Sequence, residues 1–133
     1  FMGVTQDGRV AAIHTRGNPN CCVVLRGGDK PNYKTEDVDA VVSSLEREDM
    51  NNAIVIDASH GNSGKSWENQ MDVLQYLGSN RHAKVRGLMM ESFLHSGNQS
   101  LSNRPLVYGV SVTDGCIGWD LSAKILKDIN KKI

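Results

Sequence analysis

Five residues able to bind charge or metal occupy comparable places along this chain. Arg26, Asp57, His60 and Glu91 each stand just past the C-terminal end of a predicted strand, and Asp114 lies in the long loop after the last of these. In parallel α/β folds, ligands bind outside the carboxyl ends of the strands, so this placement directs all five side chains towards one face. One histidine with two carboxylates is a donor set for an octahedral or five-coordinate divalent cation such as Mn2+ or Fe2+. An arginine followed by Gly27 and Gly28 suits a phosphate or carboxylate, through the guanidinium fork and exposed backbone N–H groups. Plainer readings stand beside these. His60 could be a hydrogen-bonded loop residue, Glu91 could cap a helix or pair with Arg86, Asp114 could open an Asp-Gly turn, and Arg26 could make a surface ion pair. Spacing alone does not choose between the two sets.

The elements that must position these residues follow from periodicity. Phe1 to Thr5 reads as a short strand, Asp7-Gly8 as a hairpin turn, and Val10 to Ile13 as the returning strand. Arg16 to Asn20 is a loop by composition. Cys21 to Leu25 is an unbroken apolar run, as in a strand buried on both faces. A helix starts at Thr35, with Glu36 and Asp37 at its positive end and Val38, Val41, Val42 and Leu45 as its apolar stripe. Ala53 to Ile56 forms the next buried strand. Trp67, Met71, Leu74 and Leu77 mark a second helix with Gly78 as its C-terminal cap. Val85 to Met90 is a further strand, and Asn98 to Gly118 a long polar loop. The last helix carries Leu121, Ile125, Ile129 and Ile133 on one face, with Lys127, Lys131 and Lys132 near its negative end. Buried strands alternating with amphipathic helices predict a parallel α/β sheet.

Bulk properties narrow the function classes. Fifteen Lys and Arg balance fifteen Asp and Glu, so no electrostatic footprint for nucleic acid or an anionic membrane is expected. No apolar run approaches a membrane span. Three cysteines without regular spacing (Cys21, Cys22 and Cys116) point to a reduced, cytoplasmic protein rather than to a disulfide framework or a cysteine-based zinc site. The chain opens on Phe1, inside an apolar segment, which reads as a cut chain.

Three segments then carry a resemblance. They are Leu25-Arg26-Gly27-Gly28 followed by Pro31-Asn32-Tyr33; Ile56-Asp57-Ala58-Ser59-His60-Gly61-Asn62-Ser63 with Lys65; and Met90-Glu91-Ser92 with Gly97-Asn98-Gln99-Ser100, Tyr108-Gly109 and Ser111-Val112-Thr113-Asp114-Gly115-Cys116-Ile117-Gly118-Trp119. Together with Phe1-Met2-Gly3-Val4-Thr5, they resemble the class I 3-deoxy-7-phosphoheptulonate synthase family in order and spacing over essentially the whole chain. The resemblance implies a (β/α)8 barrel and a divalent metal (Mn, Fe, Co or Zn). It implies His60, Glu91 and Asp114 as three of four metal ligands, the fourth being a family cysteine that none of the three here matches. It makes Arg26, with Gly27, the phosphoenolpyruvate contact, His60 and Asp57 the catalytic pair, and Ser59 and Asn62 loop-shaping residues. Lys65 is expected either near the site or, with slight preference, as a solvated helix-start residue. Phe93 and Gly115 depart from the family pattern, where a polar residue and alanine are usual.

The implied activity joins phosphoenolpyruvate to erythrose 4-phosphate, the first step of the shikimate pathway. A barrel of this class needs about 250 residues, so residues 1–133 are expected to be its C-terminal half, four βα units plus a hairpin, with the N-terminal half absent. Such a half-barrel leaves open strand edges and is expected to self-associate or to pair with the missing half, and to be inactive alone. The alternatives are the related 3-deoxyoctulosonate 8-phosphate synthase, a non-catalytic half-barrel that binds metal or a partner chain, and a generic phosphate-binding domain.

Overall fold

A computed structural model of the protein describes residues 1–131. The readings of Lys132 and Ile133 as part of the last helix fall outside the described residues. An antiparallel hairpin opens the chain, β1 (Met2–Val4) against β2 (Val10–Ala12), with Gly3 opposite Ala11. Its turn contains the expected Asp7-Gly8 pair, and Gly8 has φ +80°, which glycine adopts without a Cβ penalty. A parallel sheet follows in the order β3 (Val23–Leu25), β4 (Ile54–Asp57), β5 (Val85–Met89), with Leu25 beside Ile56 and Ile56 beside Leu88. Met90 and Glu91 alone separate β5 from β6 (Ser92–Phe93), which pairs in parallel with β7 (Ile117–Gly118). The parallel run therefore extends past a two-residue break, and Glu91 stands in that break.

Four helices complete the chain: α1 (Thr35–Arg47), α2 (His60–Ser63), α3 (Trp67–Ser79) and α4 (Trp119–Asn130). The strand–helix alternation read from the sequence is thus present, and the architecture is α/β. Leu25, Ile54 and Ile56 of the sheet pack with Val38 and Val42 of α1, Val73, Leu74 and Leu77 of α3, Ile117 of β7 and Ile125 of α4. Burial of such side chains contributes roughly 1.5–3 kcal/mol each. Val24, between core residues of β3, is 43% exposed. Since side chains alternate along a strand, helices cover one face of the sheet and leave the other open. No helix of the described residues is long and apolar enough to cross a membrane.

Some local expectations are corrected. β3 is shorter than the apolar run: Cys21 and Cys22 are exposed and precede it. The Asn18-Pro19-Asn20 turn holds this stretch instead, with the Asn20 N–H on Asn18 Oδ1 at 2.9 Å and the Cys21 thiol donating to the Asn18 carbonyl at 2.7 Å. Gly78 does not end α3, because Asn80 is the C-cap. A Cβ on Gly78 would lie 3.3 Å from Ile129 Cγ1, so this glycine serves the close approach of α4. The N-terminus of α3 is held by Ser66, whose Oγ accepts the Asn69 N–H at 3.3 Å. Ser66→Ala is expected to lower stability by about 1 kcal/mol, the usual worth of such a cap, read as a shift in the urea midpoint with unchanged slope.

Candidate metal centre

The site starts at the end of β4. Asp57 is 3% exposed, yet both of its carboxylate oxygens are satisfied. Oδ1 accepts the Ser59 N–H at 2.8 Å and Oδ2 lies 2.7 Å from His60 Nδ1. This Asx-type turn throws His60 into the left-handed region at φ +50°, where a non-glycine residue is strained and held by its surroundings. The Asp57 contact assigns the proton to Nδ1, because a buried carboxylate is acceptor-only. In the neutral ring Nε2 then carries the lone pair, and it faces the second group: Glu91 Oε1 is 3.9 Å away.

Asp114 supplies the third group. One ligand atom each from His60, Glu91 and Asp114 lie within 4.8 Å of one another. Donors held about 2.1 Å from a single ion stand roughly 3–4 Å apart, so small side-chain movements would close the three on one cation. The chemistry of the set also fits, since imidazole nitrogen plus two carboxylates suits Mn2+, Fe2+, Co2+ or Zn2+. His60 and Glu91 are half-buried and Asp114 exposed, so the centre is open to solvent on one side. The three come from β4–α2, the β5–β6 break and the loop before β7, segments far apart in sequence.

The remaining sequence candidates are distributed around this triad. Arg26 follows β3 directly, is exposed, and has no side-chain partner among the described residues. Gly27 takes φ +74°, and its N–H donates to Asn32 Oδ1 at 2.8 Å, while the Gly28 N–H donates to the Lys30 carbonyl at 3.1 Å. The two glycine N–H groups expected to face an anion are therefore used internally, and the guanidinium of Arg26 is the free donor here. Asn62 is 4% exposed and does shape the loop. Its amide donates to the Leu25 and Asp57 carbonyls at 3.0 and 2.8 Å, and its Oδ1 accepts the Asn32 N–H at 2.7 Å. Lys65 is exposed at φ +64°, beside the shallow cavity between His60 and Asp29. Ser59 lends its N–H to Asp57, as above. Cys116 is buried, and burial pushes its thiol above the ordinary range. A hydrogen bond with Ser111 works against this, and the Glu91 and Asp114 carboxylates add to it. In the metal-free protein it is therefore a neutral thiol at neutral pH.

Two residues to which the sequence reading gave no role matter here. Asn32 closes the Arg26-Gly27 turn. Gln70 is 1% exposed on α3; its Oε1 accepts the Glu91 N–H at 2.9 Å and its Nε2 donates to the Gly115 carbonyl at 3.1 Å. Its signal was available: a polar residue stands on the stripe of Trp67, Met71 and Leu74, and buried polar groups are the informative exceptions in a core.

The model of the family described as "DAHP synthetase I family" matches residues 1–127. The chain is 40% identical over 139 aligned positions to the Tyr-sensitive phospho-2-dehydro-3-deoxyheptonate aldolase of Salmonella typhimurium, covering 100% of this chain and 39% of that protein. It is 44% identical over 130 positions to the Trp-sensitive aldolase of Enterobacter agglomerans, covering 95% of this chain and 37% of that protein. Among solved structures, it is similar to a phospho-2-dehydro-3-deoxyheptonate aldolase from Francisella tularensis, with TM-score 0.87 and 38% identity over 100% of this chain and 40% of that one. The chain thus spans about two-fifths of the length of the relatives it matches.

Proposed function

The chain belongs to the DAHP synthetase I family, and from that premise we propose that it contributes the metal-binding part of a 3-deoxy-7-phosphoheptulonate synthase. The observation that carries this reading is the meeting of His60, after β4, Glu91, after β5, and Asp114, in the loop before β7, in one cluster of ligand atoms. In the same reading, the four parallel strand positions β3, β4, β5–β6 and β7 with their helices form half of a (β/α)8 barrel. The coverage of 40% of the Francisella protein and the open sheet face around Val24 support this. The remaining strands of about 250 barrel residues then come from outside these residues, in the same polypeptide or a second chain. Two copies of this chain meeting along their open strand edges are the simplest self-association, and the free cysteines agree with a cytoplasmic setting.

The proposed reaction forms a bond between carbon 3 of phosphoenolpyruvate and the aldehyde carbon of erythrose 4-phosphate. Water adds at carbon 2 of the former phosphoenolpyruvate, its C–O bond to phosphate is lost, and the products are 3-deoxy-D-arabino-heptulosonate 7-phosphate and inorganic phosphate. A divalent ion held by His60, Glu91 and Asp114 would supply Lewis-acid polarisation of the aldehyde oxygen. Arg26 binds the carboxylate or phosphate of phosphoenolpyruvate through its free guanidinium. Asp57 holds the His60 proton on Nδ1 and orients the ring, a positioning role for a residue read as catalytic in the sequence. Gly27 permits the close turn that presents Arg26.

The test is Mn2+-dependent phosphate release from phosphoenolpyruvate, with and without erythrose 4-phosphate. The chain alone is expected to release none while still binding Mn2+. Release that needs both sugar phosphate and this chain is expected once the missing barrel strands of a relative are supplied. Mn2+ binding with no release in that complemented state would favour a non-catalytic metal-binding half-barrel. Release with a five-carbon sugar phosphate in place of erythrose 4-phosphate would favour the octulosonate synthase.

A further inference from the structure

We propose that Gln70 is a positioning residue that sets the separation of the Glu91 and Asp114 carboxylates. This inference rests on the metal-centre reading above. Gln70 belongs to α3, which supplies no ligand, and it is 1% exposed among Trp67, Met71 and Leu74. A buried amide is unfavourable unless each of its polar atoms is bonded. Both are: one end accepts from the backbone of Glu91 and the other donates to the backbone of Gly115, the residue after Asp114. On the opposite side, the Glu91 carbonyl accepts the Ile117 N–H at 2.9 Å, so the two segments are held together twice.

The position of the clamp gives it its purpose. Glu91 stands in the break between β5 and β6, where its N–H turns to a side chain instead of a strand ladder. The Asp114 loop has its own tie at Gly97 and Cys116, whose backbones exchange hydrogen bonds of 2.8 and 3.1 Å. That tie fixes the loop to residue 97, not to Glu91. The Gln70 amide is the side-chain group that bridges both ligand-bearing segments, and a shift of either end would alter the donor spacing that a small cation tolerates within a few tenths of an ångström.

Gln70→Met keeps the volume and removes both bonds. Mn2+ affinity, measured by electron paramagnetic resonance titration of the full chain, is expected to weaken about 10- to 100-fold, as for other supporting partners of metal ligands. In the metal-free protein, amide exchange at Glu91, whose N–H loses its acceptor, is expected to speed by about tenfold or more, while Val42 in α1 is unchanged. Leu74→Ala, one turn along the same helix, tests mere destabilisation: it should lower the denaturation midpoint and leave Mn2+ affinity intact. Parent-like Mn2+ affinity in Gln70→Met, or equal weakening in Leu74→Ala, would overturn the proposal. If the parent chain itself binds no Mn2+, the metal reading fails and the exchange rates alone decide the clamp, unchanged rates refuting it. Should Gln70→Met not fold, Gln70→Leu removes the same two bonds with a smaller apolar side chain. Faster exchange at Glu91, whose N–H loses its acceptor, is then the supporting result, and an unchanged rate there the refuting one.

Discussion

His60→Ala is expected to weaken Mn2+ binding by more than about 100-fold, beyond the 10- to 100-fold typical of losing a supporting partner. The imidazole is the sole nitrogen donor of the triad, and two partly solvated carboxylates are poor competitors with water for a divalent ion. Asp57→Asn makes the sharper test, since it removes no ligand. Oδ1 of Asp57 already accepts the Ser59 N–H, so the substituted amide keeps its oxygen there and turns its NH2 towards His60 Nδ1. The amide then donates to Nδ1 and drives the ring proton to Nε2, the atom that faces Glu91. Affinity is expected to fall about 10- to 100-fold, and 15N shifts of the imidazole should report the exchanged tautomer. Lys65→Ala, also at a positive φ but exposed, is expected to leave both readouts unchanged. An Asp57→Asn protein with parent-like affinity and an unshifted tautomer would remove Asp57 from the centre.

The parts legible in the sequence are those that periodicity and long motifs encode. The apolar runs ending at Leu25, Ile56 and Met90 locate the strand ends to within one residue, and these put Arg26, Asp57 and His60 on one edge of the sheet. The α1 stripe of Val38 and Val42 is buried as its spacing predicts. What periodicity misses is too short or depends on tertiary contact. α2 has four residues and β6 and β7 two each, below any repeat length. A glycine near a helix end reads as a cap, but Gly78 is kept inside α3 by the approach of Ile129. Cys21 and Cys22 extend an apolar run by composition, yet the Asn18 turn takes their backbone out of the ladder. In the site, the ligand residue types were visible, whereas the Gln70 bridge and the consumption of the Gly27 and Gly28 N–H groups depend on partners 21 to 45 residues away or on local folding back.

Gly27 and Gly28 are chemically equal in the sequence, but only Gly27 should be sensitive to an added methyl. At Gly27 an added methyl meets two penalties. Its φ of +74° is left-handed, which costs a residue with Cβ about 1–2 kcal/mol. The new Cβ would also press on the Gly61 carbonyl carbon and lie 2.5 Å from Asn62 N, both backbone atoms with little freedom to yield. Overpacking of this kind costs about 1–3 kcal/mol. Gly61 approaches Gly27 in return, 2.7 Å from a Cβ placed on its own backbone, so the β3 and β4 loops meet through two glycines. Gly27→Ala is therefore expected to destabilise the chain by on the order of 3 kcal/mol, a large part of a typical domain's stability of about 5–15 kcal/mol. Gly28 has no atom within 4 Å of an added Cβ and no positive φ, so Gly28→Ala should stay within about 0.5 kcal/mol of the parent. Denaturant titration of the two variants separates a glycine required by packing from one tolerated in a loop. Because the Gly27–Gly61 contact joins the Arg26 turn to the His60 turn, equal midpoints for both variants would mean that the anion donor and the metal triad are not rigidly coupled.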